Sequence, residues 1–230
     1  MRWRLNGWVL ALCSMGVWLL LSGCGRETTS SESASKATEL VEYEPTPFRP
    51  VDVGDRLVGP TVYTVDARAQ DLWMYFDFSK GSVVGVQNLK TDDWDLAFQR
   101  HVIRTNSGDT NPAGHAGIIA IEAPTLADVS QVPSDTDFVS DVRTKKRLHA
   151  YNPEIHKWYN YNYTNNVLLP KPIVYVVRTQ DGKYAKMRML SYYCKNDVAG
   201  CMTFEYVYQG DGSTNLEAPA TKVSRQFNSH

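Results

Sequence analysis

His149 and His156 bracket the turn-prone run Tyr151-Asn152-Pro153-Glu154, and neutral imidazole is a ligand for zinc, copper and iron. Proline is unfavourable at the second central position of a tight turn, so the spacing predicts a hairpin centred on Pro153-Glu154. In that register His149 faces Trp158 and His156 faces Tyr151, and the two rings share one face on a diagonal of roughly 7–8 Å. A loop one residue longer puts them on opposite faces. Two histidines are too few for a closed structural metal site, and exposed strand histidines are the competing reading. Tyr159, Tyr161 and Tyr163 alternate through Lys157 to Thr164, which predicts three rings on one strand face. Such a face is flat and amphipathic and suits a planar or sugar-like ligand, and a deprotonated tyrosine binds iron(III). The alternative is a sheet face packed under a loop. His115 lies in the glycine-rich stretch 108–117, His101 reads as a strand residue, and His230 sits on a tail.

The cysteines carry a different chemistry. Cys24 follows Leu21-Ser22-Gly23 at the end of the apolar run Trp8 to Leu21, with Arg2 and Arg4 ahead of it. This is the pattern of a bacterial lipoprotein signal, in which cleavage before Cys24 leaves its thiol to be diacylated, for example with palmitate. The run is short for a membrane span and ends in a processing box rather than in basic stop-transfer residues. Gly25 in place of an aspartate agrees with an outer-membrane destination. Cys13 falls inside the signal, which leaves Cys194 and Cys201. They flank a polar loop in an oxidising compartment, and the spacing predicts a disulfide across a hairpin neck. Free thiols are the alternative. The spacing is not CxxC, so the bridge reads as a staple and not as a redox centre.

Removing residues 1–23 takes away two arginines and no acids, so 22 basic side chains face 25 acidic ones. Without a basic excess, nucleic-acid binding is not expected. Thirteen tyrosines and six tryptophans favour β-structure. Strand patterns recur at Thr61–Val65, Trp73–Phe78, Gly81–Val86, Trp94–Ile103 and Thr203–Tyr208. Ile173–Val177 is continuously apolar, as in a strand covered on both faces, and runs into the hairpin signal Asp181-Gly182. The return strand Lys183–Tyr193 puts Ala185, Met187 and Met189 on one face and Lys186 and Arg188 on the other. Glu122–Val129 has room for one short helix. The common hydrolase and nucleotide-binding signatures are absent; carboxylate pairs such as Asp92-Asp93 read as solvated turns, and an enzyme is not expected. The expected organisation is a signal peptide over 1–23, a lipid-anchored tether over 24–58, an all-β domain over 59–215 and a tail over 216–230.

Four blocks, Trp73–Val86, Trp94–Gly108, Ile173–Tyr193 and Thr203–Ser213, together resemble the HmuY-like haem-binding lipoproteins of Bacteroidetes. The resemblance implies an all-β antiparallel fold, a single sheet or sandwich-like domain with long loops forming a ligand cleft. It implies haem capture outside the cell, iron acquisition and delivery to a TonB-dependent receptor. In the family two histidines, or methionines in some relatives, hold the iron. Counting from the flanking blocks places one ligand position at Tyr161 or Tyr163, while only His149 or His156 stands near the other. No methionine occurs between Met74 and Met187. Tyr161, Tyr163, His149 and His156 are therefore the candidate haem-iron ligands. The alternative is a family-fold lipoprotein without haem that binds a glycan, peptide or protein partner.

Overall fold

Alternation in the last two strands sets the architecture. In the computed structural model, which describes residues 40–91, 93–133, 138–147 and 149–217, the strands are β1 (Leu57–Asp66), β2 (Met74–Asp77), β3 (Ser82–Val84), β4 (Leu96–Gln99), β5 (Val102–Thr105), β6 (Gly117–Glu122), β7 (Tyr159–Asn162), β8 (Val167–Pro170), β9 (Ile173–Arg178), β10 (Tyr184–Tyr193) and β11 (Ala199–Gln209). Every ladder between them is antiparallel. They form a five-stranded sheet in the order β1-β11-β10-β9-β6, a four-stranded sheet β3-β2-β4-β5 and the hairpin β7-β8. The all-β antiparallel expectation holds, with two main sheets where a single one was also possible.

Phe204, Tyr206 and Tyr208 of β11 and Met187 and Met189 of β10 share one buried face, as their period of two requires. Against them the second sheet sets Phe76 of β2 and Phe98 of β4. Phe98 stacks on Phe204 at 5.6 Å, and Phe76 meets the same ring edge-on at 5.2 Å. Burying each such ring contributes about 1.5–3 kcal/mol, so this aromatic layer holds the sheets together. β9 is covered on both faces, with Tyr175 and Val177 in this core and Val174 and Val176 in a second cluster with Leu126, Val129 and Leu216.

Four local expectations change. The run Trp94–Ile103 is not one strand: it breaks at Arg100-His101 into β4 and β5, with Arg100 at φ 53° and its N–H donating to Ala67 O at 2.9 Å. His101 is thus a turn residue. Lys186, placed on the polar face by alternation, is 1% exposed. The segment around the 3-10 turn Leu126–Asp128 covers it, and its ammonium donates to Leu126 O at 2.7 Å and Val129 O at 2.8 Å. Residues 40–58, expected as tether, run along the domain up to and into β1. Tyr43 N donates to Tyr193 O, Thr46 N to Thr64 O and Val53 N to Ser79 O, all at 2.9–3.0 Å. Ion pairs Lys195–Glu44 at 2.6 Å and Lys80–Asp52 at 2.7 Å add to the attachment. At the other end Leu216, assigned to the tail, is fully buried and donates to Ser130 O at 2.8 Å. The signal peptide, Cys24, residues 25–39 and residues 218–230 lie outside the described residues.

Candidate ligand cleft

The β7-β8 hairpin leans on the end of β10 and on the β4-β5 turn. Trp158, fully buried just before β7, makes the connection: its indole N–H donates to His101 O at 3.1 Å, and its ring meets those of Tyr159 and Tyr192. From β8, Leu168 N donates to the Tyr193 hydroxyl at 2.9 Å. Between these elements opens a cleft of about 700 Å³ walled by His101, Tyr159, Tyr161, Leu168, Tyr192 and Tyr193, with Leu40 and Ala199 at its margin. Its size and its apolar, aromatic walls with a few polar groups suit a small-molecule site. The Cys194–Cys201 disulfide, Cα atoms 5.0 Å apart, closes the neck of the β10-β11 hairpin whose Asp197 and Ala199 form one side of the cleft.

His101 is the imidazole in this wall. Burial holds its pKa below the usual histidine value, and the charges of Arg100 and Arg147 lower it further. It is therefore neutral near pH 7, with a ring-nitrogen lone pair to offer. The phenols of Tyr159 and Tyr192 are raised by burial and stay protonated. Tyr161 is 39% exposed, and its hydroxyl donates to Asn166 Oδ1 at 2.5 Å.

The sequence-predicted residues divide. Tyr161 faces the cleft; Tyr163, past the end of β7 and 86% exposed, touches the Tyr161 ring edge-on at 4.7 Å but does not line the cleft. His149 and His156 are not in it either. The predicted Pro153-Glu154 hairpin does not form, because Tyr151 pairs with Val142, through reciprocal bonds of 3.0 and 3.1 Å, and not with a strand after the turn. Buried Asn152 holds the turn by donating to Val139 O at 2.7 Å, and His156 N bonds back to Asn152 O at 3.0 Å. The histidines consequently take different partners. His149 meets the Trp73 ring edge-on at 5.7 Å, while His156 packs on Tyr151 at 4.8 Å and accepts from the Arg147 guanidinium at 2.7 Å. Burial first, then Arg147 and Lys157, lower the pKa of His156. Among the described residues, no three His, Cys, Asp or Glu side chains converge as a metal-binding group. Sequence reasoning passed over His101, Tyr192 and Tyr193. The aromatic pair at the end of β10, next to Cys194, was the available signal.

Two antiparallel sheets closed on an aromatic core, with an aromatic cleft at one hairpin, define a class of small β domains. The model of the HmuY family, described as HmuY protein, matches residues 69–206, and the chain belongs to that family. Solved structures agree on the fold. The apo HmuY analog of Tannerella forsythia superposes with a TM-score of 0.55 at 18% identity, over 69% of this chain and 99% of that one. An HmuY-like protein of Bacteroides vulgatus, provisionally assigned as heme-binding, gives 0.53 at 22% identity over 70% and 97%. A provisionally assigned lipoprotein of Bacteroides fragilis gives 0.52 at 21% over 70% and 94%. No curated protein matches the chain.

Proposed function

We propose that the chain is a lipid-anchored extracytoplasmic protein that captures haem in the His101–Tyr161 cleft and passes it to a membrane receptor. The carrying observation is the cleft wall itself, in which a neutral imidazole and an accessible phenol stand among rings that can cover a planar ligand. Haem brings four equatorial nitrogens of its own, so the protein needs to add only one or two axial donors. A wall that offers one imidazole and one phenol fits this cargo, whereas a bare metal ion requires more ligands than converge anywhere among the described residues. His101 is the first candidate ligand and Tyr161 the second, in place of His149, His156 and Tyr163. Family membership supports the same reading, and Cys24 is the proposed acylation site, with the outer membrane as destination. The chemistry is binding and release, with no covalent step.

The test is a haemin titration of the soluble chain beginning after Cys24, followed by visible absorption in both oxidation states. The expected result is a shifted, sharpened Soret band saturating near one equivalent. His101→Ala and Tyr161→Phe should change that spectrum, while His149→Ala and His156→Ala leave it alone. A wild-type spectrum equal to that of free haemin refutes the reading and favours a non-haem binding module.

A further inference from the structure

Arg100 occupies an unusual position beside the cleft. It sits in the tight β4-β5 turn immediately before His101, with φ 53°, a backbone conformation that non-glycine residues seldom adopt without support. The support is visible. One guanidinium nitrogen, Nη1, donates to Arg68 O and to Ala199 O, both at 2.9 Å, and the guanidinium carbon stands 5.9 Å from the centre of the Tyr192 ring. Ala199 and Tyr192 both line the cleft. Gly200, at φ +121°, makes the placement possible: a Cβ there would lie 2.9 Å from that same nitrogen and 2.8 Å from Arg68 Cα. The Arg68 carbonyl just past β1, the Ala199 carbonyl of β11 and the Tyr192 ring therefore fix this cation beside the cleft, against two of its lining residues.

Among the described residues the fixed cation has no counter-charge: no carboxylate is ion-paired with Arg100, and Nε and Nη2 have no acceptor. Arg68, its neighbour, spends its own charge on Asp66 at 2.6 Å. A guanidinium held by two neutral carbonyls keeps its full charge and three N–H donors, arranged as a fork that matches a carboxylate.

We propose that Arg100 is the cleft's carboxylate anchor: it pairs with an acid group at the edge of the bound ligand and so sets the ligand's orientation against His101. This rests on the haem reading, in which the acid group is a propionate. The ligand class is thereby narrowed to planar, apolar molecules carrying at least one peripheral carboxylate.

Haemin and its dimethyl ester, which keeps the iron and the ring but has no free carboxylate, separate the two ideas in the soluble chain beginning after Cys24. A charge-assisted pair contributes about 1.5–3 kcal/mol, so the wild type should bind haemin at least about tenfold more tightly than the ester. Arg100→Gln should weaken haemin about tenfold while leaving ester affinity within about twofold, and Arg100→Lys should recover part of the preference. Urea unfolding of each variant reports whether the turn survives. Equal affinity of the wild type for acid and ester overturns the anchor and leaves haem binding standing. So does an Arg100→Gln loss that is equal for both ligands, which marks a purely structural arginine. A wild type that binds neither ligand overturns the anchor and the haem reading together.

Discussion

Removing the Cys194–Cys201 bridge should cost the domain a predictable amount. The cysteines are seven positions apart in sequence, and in the chain-entropy description closing so short a loop restrains the unfolded chain by about 2.4 kcal/mol. In the folded state little changes on its removal, because the β10-β11 ladder continues on either side and Cys194 N already donates to Val198 O at 2.8 Å. The double substitution Cys194→Ala/Cys201→Ala, which leaves two small side chains in buried positions, should therefore act mainly through the unfolded state. It forfeits some packing as well, so about 2.4 kcal/mol is a lower figure. With a urea m-value of about 2 kcal/mol/M for a domain of this size, the midpoint should fall by about 1.2 M. The m-value itself should change little. Far-UV circular dichroism across a urea series is the assay, with the oxidised wild type as reference and its reduced form as a second arm. A midpoint shift below about 0.3 M in both arms refutes the argument. The haem titration gives a further reading, since Asp197 and Ala199 beside the bridge form part of the cleft: with the folded neck unchanged, haemin affinity in the absence of urea should hold.

Two more outcomes follow from buried charges. Burial raises the carboxyl pKa values of Asp77 and Asp95, and their mutual proximity adds to the effect at Asp95. The folded protein thus holds protons that the unfolded chain releases, and this stabilisation is complete below the unfolded value near 3.8 and is lost as pH rises through the folded values. Asp77→Asn keeps an oxygen for Ser79 N, which Asp77 accepts at 2.7 Å, but lacks the titration. Its stability relative to wild type should improve steadily from pH 4 to pH 7 in paired thermal melts; a difference independent of pH contradicts the assignment. Lys186→Met removes the donor to Leu126 O and Val129 O. It should destabilise by about 2 kcal/mol by leaving the buried Val129 carbonyl unpaired, while Leu126 O keeps the Val129 N–H, with faster amide exchange across residues 123–132; unchanged exchange there counts against Lys186 as the tie that holds this segment.

The strands were legible where one residue's environment decides its neighbour's. Phe204, Tyr206 and Tyr208 alternate because one face of β11 meets the second sheet, and Ile173–Val177 is apolar throughout because β9 is covered twice. Non-local pairings were not legible. Tyr151 finds Val142 rather than a strand beyond Pro153, and that choice separates His149 from His156. The Arg100-His101 turn carries no glycine, proline or asparagine to announce it, so an apolar run concealed the imidazole that reaches the cleft. Lys186 looked like a surface residue because the segment that covers it comes from some 60 positions away. Family resemblance identified the fold and, of the cleft's walls, pointed to Tyr161 alone, since those walls depend on how a hairpin, a turn and a strand end meet.

The pairing of β1 with β11 also bears on when the protein can fold. Leu57 finds its partner in Gln209, roughly 150 residues later. The β2-to-β5 sheet, by contrast, closes within the stretch Met74–Thr105. During synthesis at about 5–20 residues per second, β1 waits about 8–30 s for its neighbour, and the five-stranded sheet cannot be completed until almost the whole chain has emerged. Such an order of events leaves β1 unpaired while the smaller sheet can already form. A first strand that has nothing to pair with until the last one arrives makes completion of this sheet a post-synthetic event, whatever the smaller sheet has done by then.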